Sequence, residues 1–132
     1  MSTLKTNKIQ HLTSGFNNVV QFVDGAGTQN GTLCRAFVNF NGQGAVAVRA
    51  NFNVNSLTDH GTGDYTVNFT NAMSDANYSW SGSVQDSNSS GNVLVGNWTR
   101  SGVSPTTSAL RIYTGYHGGV FDAPIITLQV FR

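Results

Sequence analysis

Glutamate is absent from this 132-residue chain, and all six acidic residues are aspartates. Lysine occurs only at Lys5 and Lys8, and charged residues make up 10% of the chain, against about 25% in a typical globular protein. A helix needs Glu, Lys, Gln and Ala to build its solvated face, so this shortage excludes an all-α protein. The net charge is +1 with no basic cluster, which excludes a polybasic binder of nucleic acid. Cysteine occurs once, at Cys34, so no internal disulfide can staple the fold. No apolar run is long enough to form a membrane-spanning helix. The first residues, Met1 to Lys8, contain no apolar segment of the secretory kind. They lead us to expect a protein made in a cytosol and not exported by a standard route.

What fills the gap is small and polar. Gly, Asn, Thr and Ser account for 57 of the 132 residues, while 39% of the chain is hydrophobic and can supply a core. The length suits one domain. Five Asn-x-Ser/Thr triplets, at Asn30, Asn68, Asn77, Asn88 and Asn97, follow from this composition and are not read as glycan acceptors.

Strand and turn signals alternate along the chain. Phe16 to Val23 and Cys34 to Phe40 are β-rich runs. Asn41-Gly42 is a strong two-residue hairpin signal, with Ala45 to Ala50 as the return strand and Phe52 to Val54 as its continuation. Tyr65, Val67 and Phe69 alternate with Thr66, Asn68 and Thr70. Tyr78, Trp80, Gly82 and Val84 alternate with Ser79, Ser81 and Ser83. Both patterns predict strands with one buried and one wet face. Val93 to Arg100, Ala109 to Tyr113 and Ile125 to Phe131 complete about eight strands, with turn signals every 8–12 residues. This is the habit of an antiparallel β-sandwich or jelly roll. Residues 15–132 are expected to form that single domain. Residues 1–14, with Leu4, Ile9 and Leu12 irregularly spaced, are expected to form an extended arm that attaches to another subunit or assembly.

Catalytic signatures are lacking. Cys34 lies in an apolar strand with no base beside it and reads as a structural thiol. No Gly-x-Ser-x-Gly elbow or phosphate loop occurs. Asp24, Asp59, Asp75 and Asp86 fall in turns, where Asp bonds its own backbone. His11, His60 and His117 have no metal-ligand spacing. Asp59 to Asp64 has the look of half a calcium loop but lacks the remaining ligands, and it reads as a glycine loop between strands. No cofactor or metal is expected.

The chemical feature that remains is aromatic. Trp98 sits beside Asn97 and Arg100, while Tyr113, Tyr116 and His117 bracket a glycine-rich loop. Exposed rings next to Asn, Asp and Arg are how proteins stack on sugars and bond their hydroxyls. Trp98, Arg100, Tyr113, Tyr116 and His117 are therefore candidate glycan- or receptor-binding residues. The competing reading places these rings in a core or a subunit interface.

Two blocks carry a family resemblance. One is Arg35-Ala36-Phe37-Val38-Asn39-Phe40-Asn41-Gly42 with Ala45 to Arg49 and Phe52-Asn53-Val54. The other is Asp59, Gly61 to Phe69 and Ala72 to Tyr78. Together they resemble a β-rich module of tailed-bacteriophage virion proteins, found at the distal end of tail fibres, especially in phages of marine bacteria. Leu4 to Gln10 is similar to the opening of such fibre and appendage proteins. The resemblance spans residues 30–132 and is strongest over 35–78. It implies a non-enzymatic virion component, a homotrimer that contacts other tail or capsid proteins and binds a host-surface glycan or simply builds the particle. The charge and the lack of a long apolar run lead us to expect no nucleic-acid and no membrane partner. Fibre proteins carry a long shaft before such a module, so a fibre tip, a tail adaptor and a head decoration or spike protein all remain open. A free carbohydrate-binding module is the competing class.

Overall fold

The computed structural model describes the backbone of residues 19–24, 27–85 and 95–132, and the side chains of residues 33–85 and 96–132. The expected arm with Leu4, Ile9 and Leu12, and the Ser/Asn cluster at 86–91, lie outside these residues. The described residues form strands and turns without a helix. The all-β sandwich expected from the sequence is what is observed.

Strands β1 (Val19–Asp24) and β2 (Gly27–Thr32) make an antiparallel hairpin. The other nine strands form two antiparallel sheets. The four-stranded sheet contains β3 (Cys34–Asn41), β4 (Ala47–Phe52), β7 (Ser79–Val84) and β11 (Ile126–Phe131), in the order β4-β3-β11-β7. The five-stranded sheet contains β5 (Val54–Asp59), β6 (Asp64–Phe69), β8 (Val95–Thr99), β9 (Ala109–Tyr116) and the short β10 (Gly119–Val120). Ile112 and Tyr113 pair with both β6 and β8, whereas Gly115 and Tyr116 pair with both β8 and β10. A strand residue has two lateral neighbours, so β8 flanks one edge of β9. On the other edge β6 is followed by β10.

The period-2 patterns decide the core. On β3, Ala36, Val38 and Phe40 point inward, and on β11 so do Ile126, Leu128 and Val130. From the facing sheet come Tyr65, Val67 and Phe69 of β6, with Leu110 and Ile112 of β9. Phe40 meets Tyr65 edge to face at 5.2 Å, and Phe69 meets Tyr78 in the same way at 5.9 Å, the arrangement ring quadrupoles favour. On β7 the serines are exposed and Trp80, Gly82 and Val84 are half-buried, as the alternation predicts.

Three sequence expectations change. Asn41-Gly42 does not close a two-residue hairpin: β3 ends at Asn41 and β4 begins at Ala47. A Cβ at residue 42 would lie 2.4 Å from the Tyr65 hydroxyl, so Gly42 is there for close packing. The loop instead turns through Gly44, whose φ is 64°, and the Asn41 amide donates to the Gln43 carbonyl at 2.9 Å. Second, Phe52 to Val54 does not run on as one strand. Asn53 adopts a left-handed φ of 56°, which Asn tolerates better than most residues, and the chain crosses there from β4 in one sheet to β5 in the other. Asn53 fixes the corner by donating to the Arg35 and Asn71 carbonyls and accepting from the Asn71 amide. Third, the described residues hold eleven strands where about eight were expected, because Gly27–Thr32, Val54–Asp59 and Gly119–Val120 each pair as strands of their own.

Candidate binding face

The outer face of the five-stranded sheet brings together three of the five nominated residues, Trp98, Arg100 and Tyr113. Residues at equal parity on paired strands share a face. Trp98 lies opposite Tyr113, and Tyr113 lies opposite Asp64, making one row across β8, β9 and β6. Thr66 lies opposite Arg111, and Thr58 opposite Thr66, in the adjacent row. Arg100 follows β8 at the end of this second row.

Asp64 binds the two rows together. It accepts from Arg111 Nε and from a second Arg111 nitrogen, both at 2.8 Å, the bidentate fork that gives a charge pair its geometry. Arg100 donates a further bond at 3.0 Å. The Asp64 side chain is only 9% exposed. The Arg111 hydrogen bond holds its carboxyl below the usual carboxylate range, with burial opposing and the charges of Arg111, Arg100 and His60 assisting. Two guanidinium groups meet one carboxylate, so the cluster carries an excess of one positive charge.

The Arg100 guanidinium also lies 5.5 Å from the centre of the Tyr113 ring, within reach of a cation–π attraction. Trp98 sits 6.3 Å from the same ring, tilted by 54°. Trp98 remains 39% exposed and Arg100 40%. Beside the rings, the backbone at Gly96 is bare: among the described residues no atom lies within 4 Å of where a Cβ would be. Towards β5 the face becomes a polar comb. Asn68 donates to the Ser56 and Thr58 hydroxyls, and the His60 ring lies 2.9 Å from the Thr66 hydroxyl.

Of the five residues the sequence nominates, Trp98, Arg100 and Tyr113 come together here. Tyr116 and His117 do not. Tyr116 shares the inward parity of Ile112 and lies past the end of the core, 6.2 Å from Phe121 and against Gly118. His117 lies in the exposed turn that joins β9 to β10. Asp64 and Arg111 were not nominated. Their signal was parity: Arg111 alternates in step with Tyr113, and Asp64 in step with Thr66 and Asn68.

The other polar groups are engaged in structure. Asp59 and Asp75 accept from the amides of Gly61 and Asn77, both at 2.8 Å, the turn role expected of them. Asp75 is also paired with Arg132. Asp122 accepts from the buried Tyr65 hydroxyl at 2.6 Å and from the Gly63 amide at 2.7 Å. Burial, with help from Asp122, pushes the Tyr65 hydroxyl well above the usual phenol range. Cys34 is half-buried and its thiol donates to the Ala36 carbonyl. Among the described residues no group of three or more His, Cys, Asp or Glu is placed to hold a metal ion. A cleft of about 470 Å³ opens elsewhere, at the Asn53 corner between Leu33, Phe52 and Thr70. It is distant in the fold from the ring cluster, and the hydrogen bonds of Asn53 and Asn71 across it serve the corner itself.

No family model, curated protein or solved structure matches the chain.

Proposed function

We propose that the protein is a non-enzymatic module of a bacteriophage particle, a trimeric appendage of the tail-fibre type that holds on to a host-surface glycan. The observation that carries the binding role is the Trp98–Tyr113–Asp64 row, with Arg100 fixed beside it. Sugars are bound by an open aromatic face flanked by oriented polar donors, and this sheet face supplies both without a deep pocket. The four described Asp side chains that could serve acid–base chemistry are committed to arginine, tyrosine or backbone partners, which favours binding over turnover. The particle context rests on the resemblance over residues 35–78. The low charge fits it, since identical copies then pack without strong mutual repulsion.

A second reading, a head decoration or spike protein, is favoured by the β4 edge. Every residue of Ala47–Phe52 is exposed, and an open edge strand is a ready surface for pairing with another chain.

A glycan array probed with the intact protein tests the first reading. Binding that falls at least ten-fold in Trp98→Ala, with a trimer by light scattering and the protein located at the tail tip in labelled particles, is the expected result. Glycan binding by a monomer that never joins particles points to a free carbohydrate-binding module. Tight capsid binding with a silent array points to the decoration reading.

A further inference from the structure

The two arginines on the sheet face use their guanidinium groups differently, and this difference names a ligand class. Arg111 spends its Nε side on Asp64, giving two parallel bonds of 2.8 Å to the two carboxylate oxygens. Arg100 reaches the same carboxylate with a single terminal nitrogen. Among the described residues, its Nε and its other terminal nitrogen donate to nothing. That unused edge is the same fork by which Arg111 grips a carboxylate. Arginine presents this edge as a planar two-pronged donor matched to a carboxylate.

Three features keep the fork ready. The Asp64 bond anchors one end of the group. The Tyr113 ring, 5.5 Å away, supports its charge. Arg111, on the neighbouring strand, already satisfies both oxygens of Asp64, so the carboxylate does not need Arg100 for its own pairing. The cluster as a whole keeps one unmatched positive charge, and the exposed Trp98 flanks the same Tyr113 ring.

We infer that this face takes an acidic sugar, with a pyranose ring stacked on Trp98 and its carboxylate received by the open edge of Arg100. The inference rests on the glycan-binding reading above and narrows it to carboxylated saccharides. A neutral sugar would leave the excess charge unmatched. A sulfated sugar would meet the charge and can also offer two oxygens to the fork, so it is the competing anion that the titration separates from a carboxylate.

The test is calorimetric titration at fixed, moderate salt with oligosaccharides of glucuronic, galacturonic and sialic acid. Each is compared with its methyl ester, and a sulfated neutral oligosaccharide is included. At least one acid should bind about ten-fold or more tightly than its ester, as expected of a charge-assisted pair. Arg100→Gln should erase that ratio, with the acid losing more affinity than its ester, and Trp98→Ala should weaken acid and ester together. Arg100→Lys should recover only part of the ratio, because a lysine offers charge without the fork. Equal binding of acid and ester, still lost in Trp98→Ala, overturns the carboxylate assignment and leaves the glycan reading standing. A sulfated sugar that binds as tightly as the acid also overturns it. Failure of every acid and ester to bind overturns both. Circular dichroism of each variant separates loss of the site from loss of the fold.

Discussion

The outer faces of the two sheets are built from the same polar alphabet and behave differently. On the four-stranded sheet, Ser79, Ser81 and Ser83 stand exposed along β7, and Phe37 stacks on Phe52 at 6.3 Å at the β3–β4 edge. Phe52 is 54% exposed, and Ser81 and Ser83 hydrogen-bond the neutral side chains of Gln129 and Thr127 on β11. On the five-stranded sheet, one nearly buried carboxylate draws arginines from the end of β8 and from β9 into a fixed arrangement around Tyr113. A hydroxyl comb leaves a surface adaptable. A desolvated ion cluster gives it a set geometry, because each partner lost leaves a charge unsatisfied. The face with the set geometry is the one to which we assign the proposed binding role.

The strongest way to break this contrast is from beneath. Leu110 is fully buried on β9, between the outward Arg111 and the core. Leu110→Ala should cost about 3 kcal/mol of stability by urea denaturation, the usual effect of a large-to-small change in a packed interior. It should also loosen the platform above it.

A smaller effect is expected from Asp64→Asn, which removes the hub but keeps its shape. The loss should be about 2 kcal/mol, in the range for hydrogen bonds to charged groups. The pH dependence gives the sharper reading. The carboxyl of Asp64 is held below its unfolded value of about 4. Its contribution to stability is therefore fully present above that pH and fades as the pH falls through the lower, folded value. Denaturation curves from pH 6 to pH 2 should show this decline in the natural protein and a shallower one in the variant. Identical slopes would mean that the cluster does not distinguish the two faces.

The least effect should come from the other sheet. Phe52→Ser removes an exposed ring from an edge pair and should change stability by less than about 1 kcal/mol, and should leave the proposed saccharide binding unchanged. A large loss in either measurement would mean that the four-stranded face is not the passive one.

Much of this architecture was legible in the sequence. The alternation in Tyr65–Phe69 and Tyr78–Val84 is a local property, and it set which side chains turn inward wherever a strand was recognised. Asp59 and Asp75 were read correctly as turn residues because an Asx bond spans two residues and needs nothing distant. Gly42 misled for the opposite reason: its role depends on Tyr65, which is far along the chain, and Asn-Gly looks the same whether it closes a hairpin or clears space for a hydroxyl. Asn53 was similar, since a corner between sheets and a continuing strand share the same flanking residues. In the candidate site, Trp98, Arg100 and Tyr113 could be nominated by exposure and polarity alone. Asp64 and Arg111 required the registers of β6, β8 and β9, which parity constrains but does not supply.

One feature of the sheet order bears on how the chain reaches this state. β11 lies between β3 and β7, so the four-stranded sheet has no centre until residues 126–131 pair with residues 34–41. Earlier hairpins can form and melt, but they have no inner partner to lock them. Folding is therefore expected to be slow and all-or-none, limited by closure of that long loop, as for other β-rich domains dominated by distant contacts. A ribosome-bound chain lacking β11 would expose the apolar faces of β3 and β7 together, and that interval is when aggregation would compete most strongly with assembly.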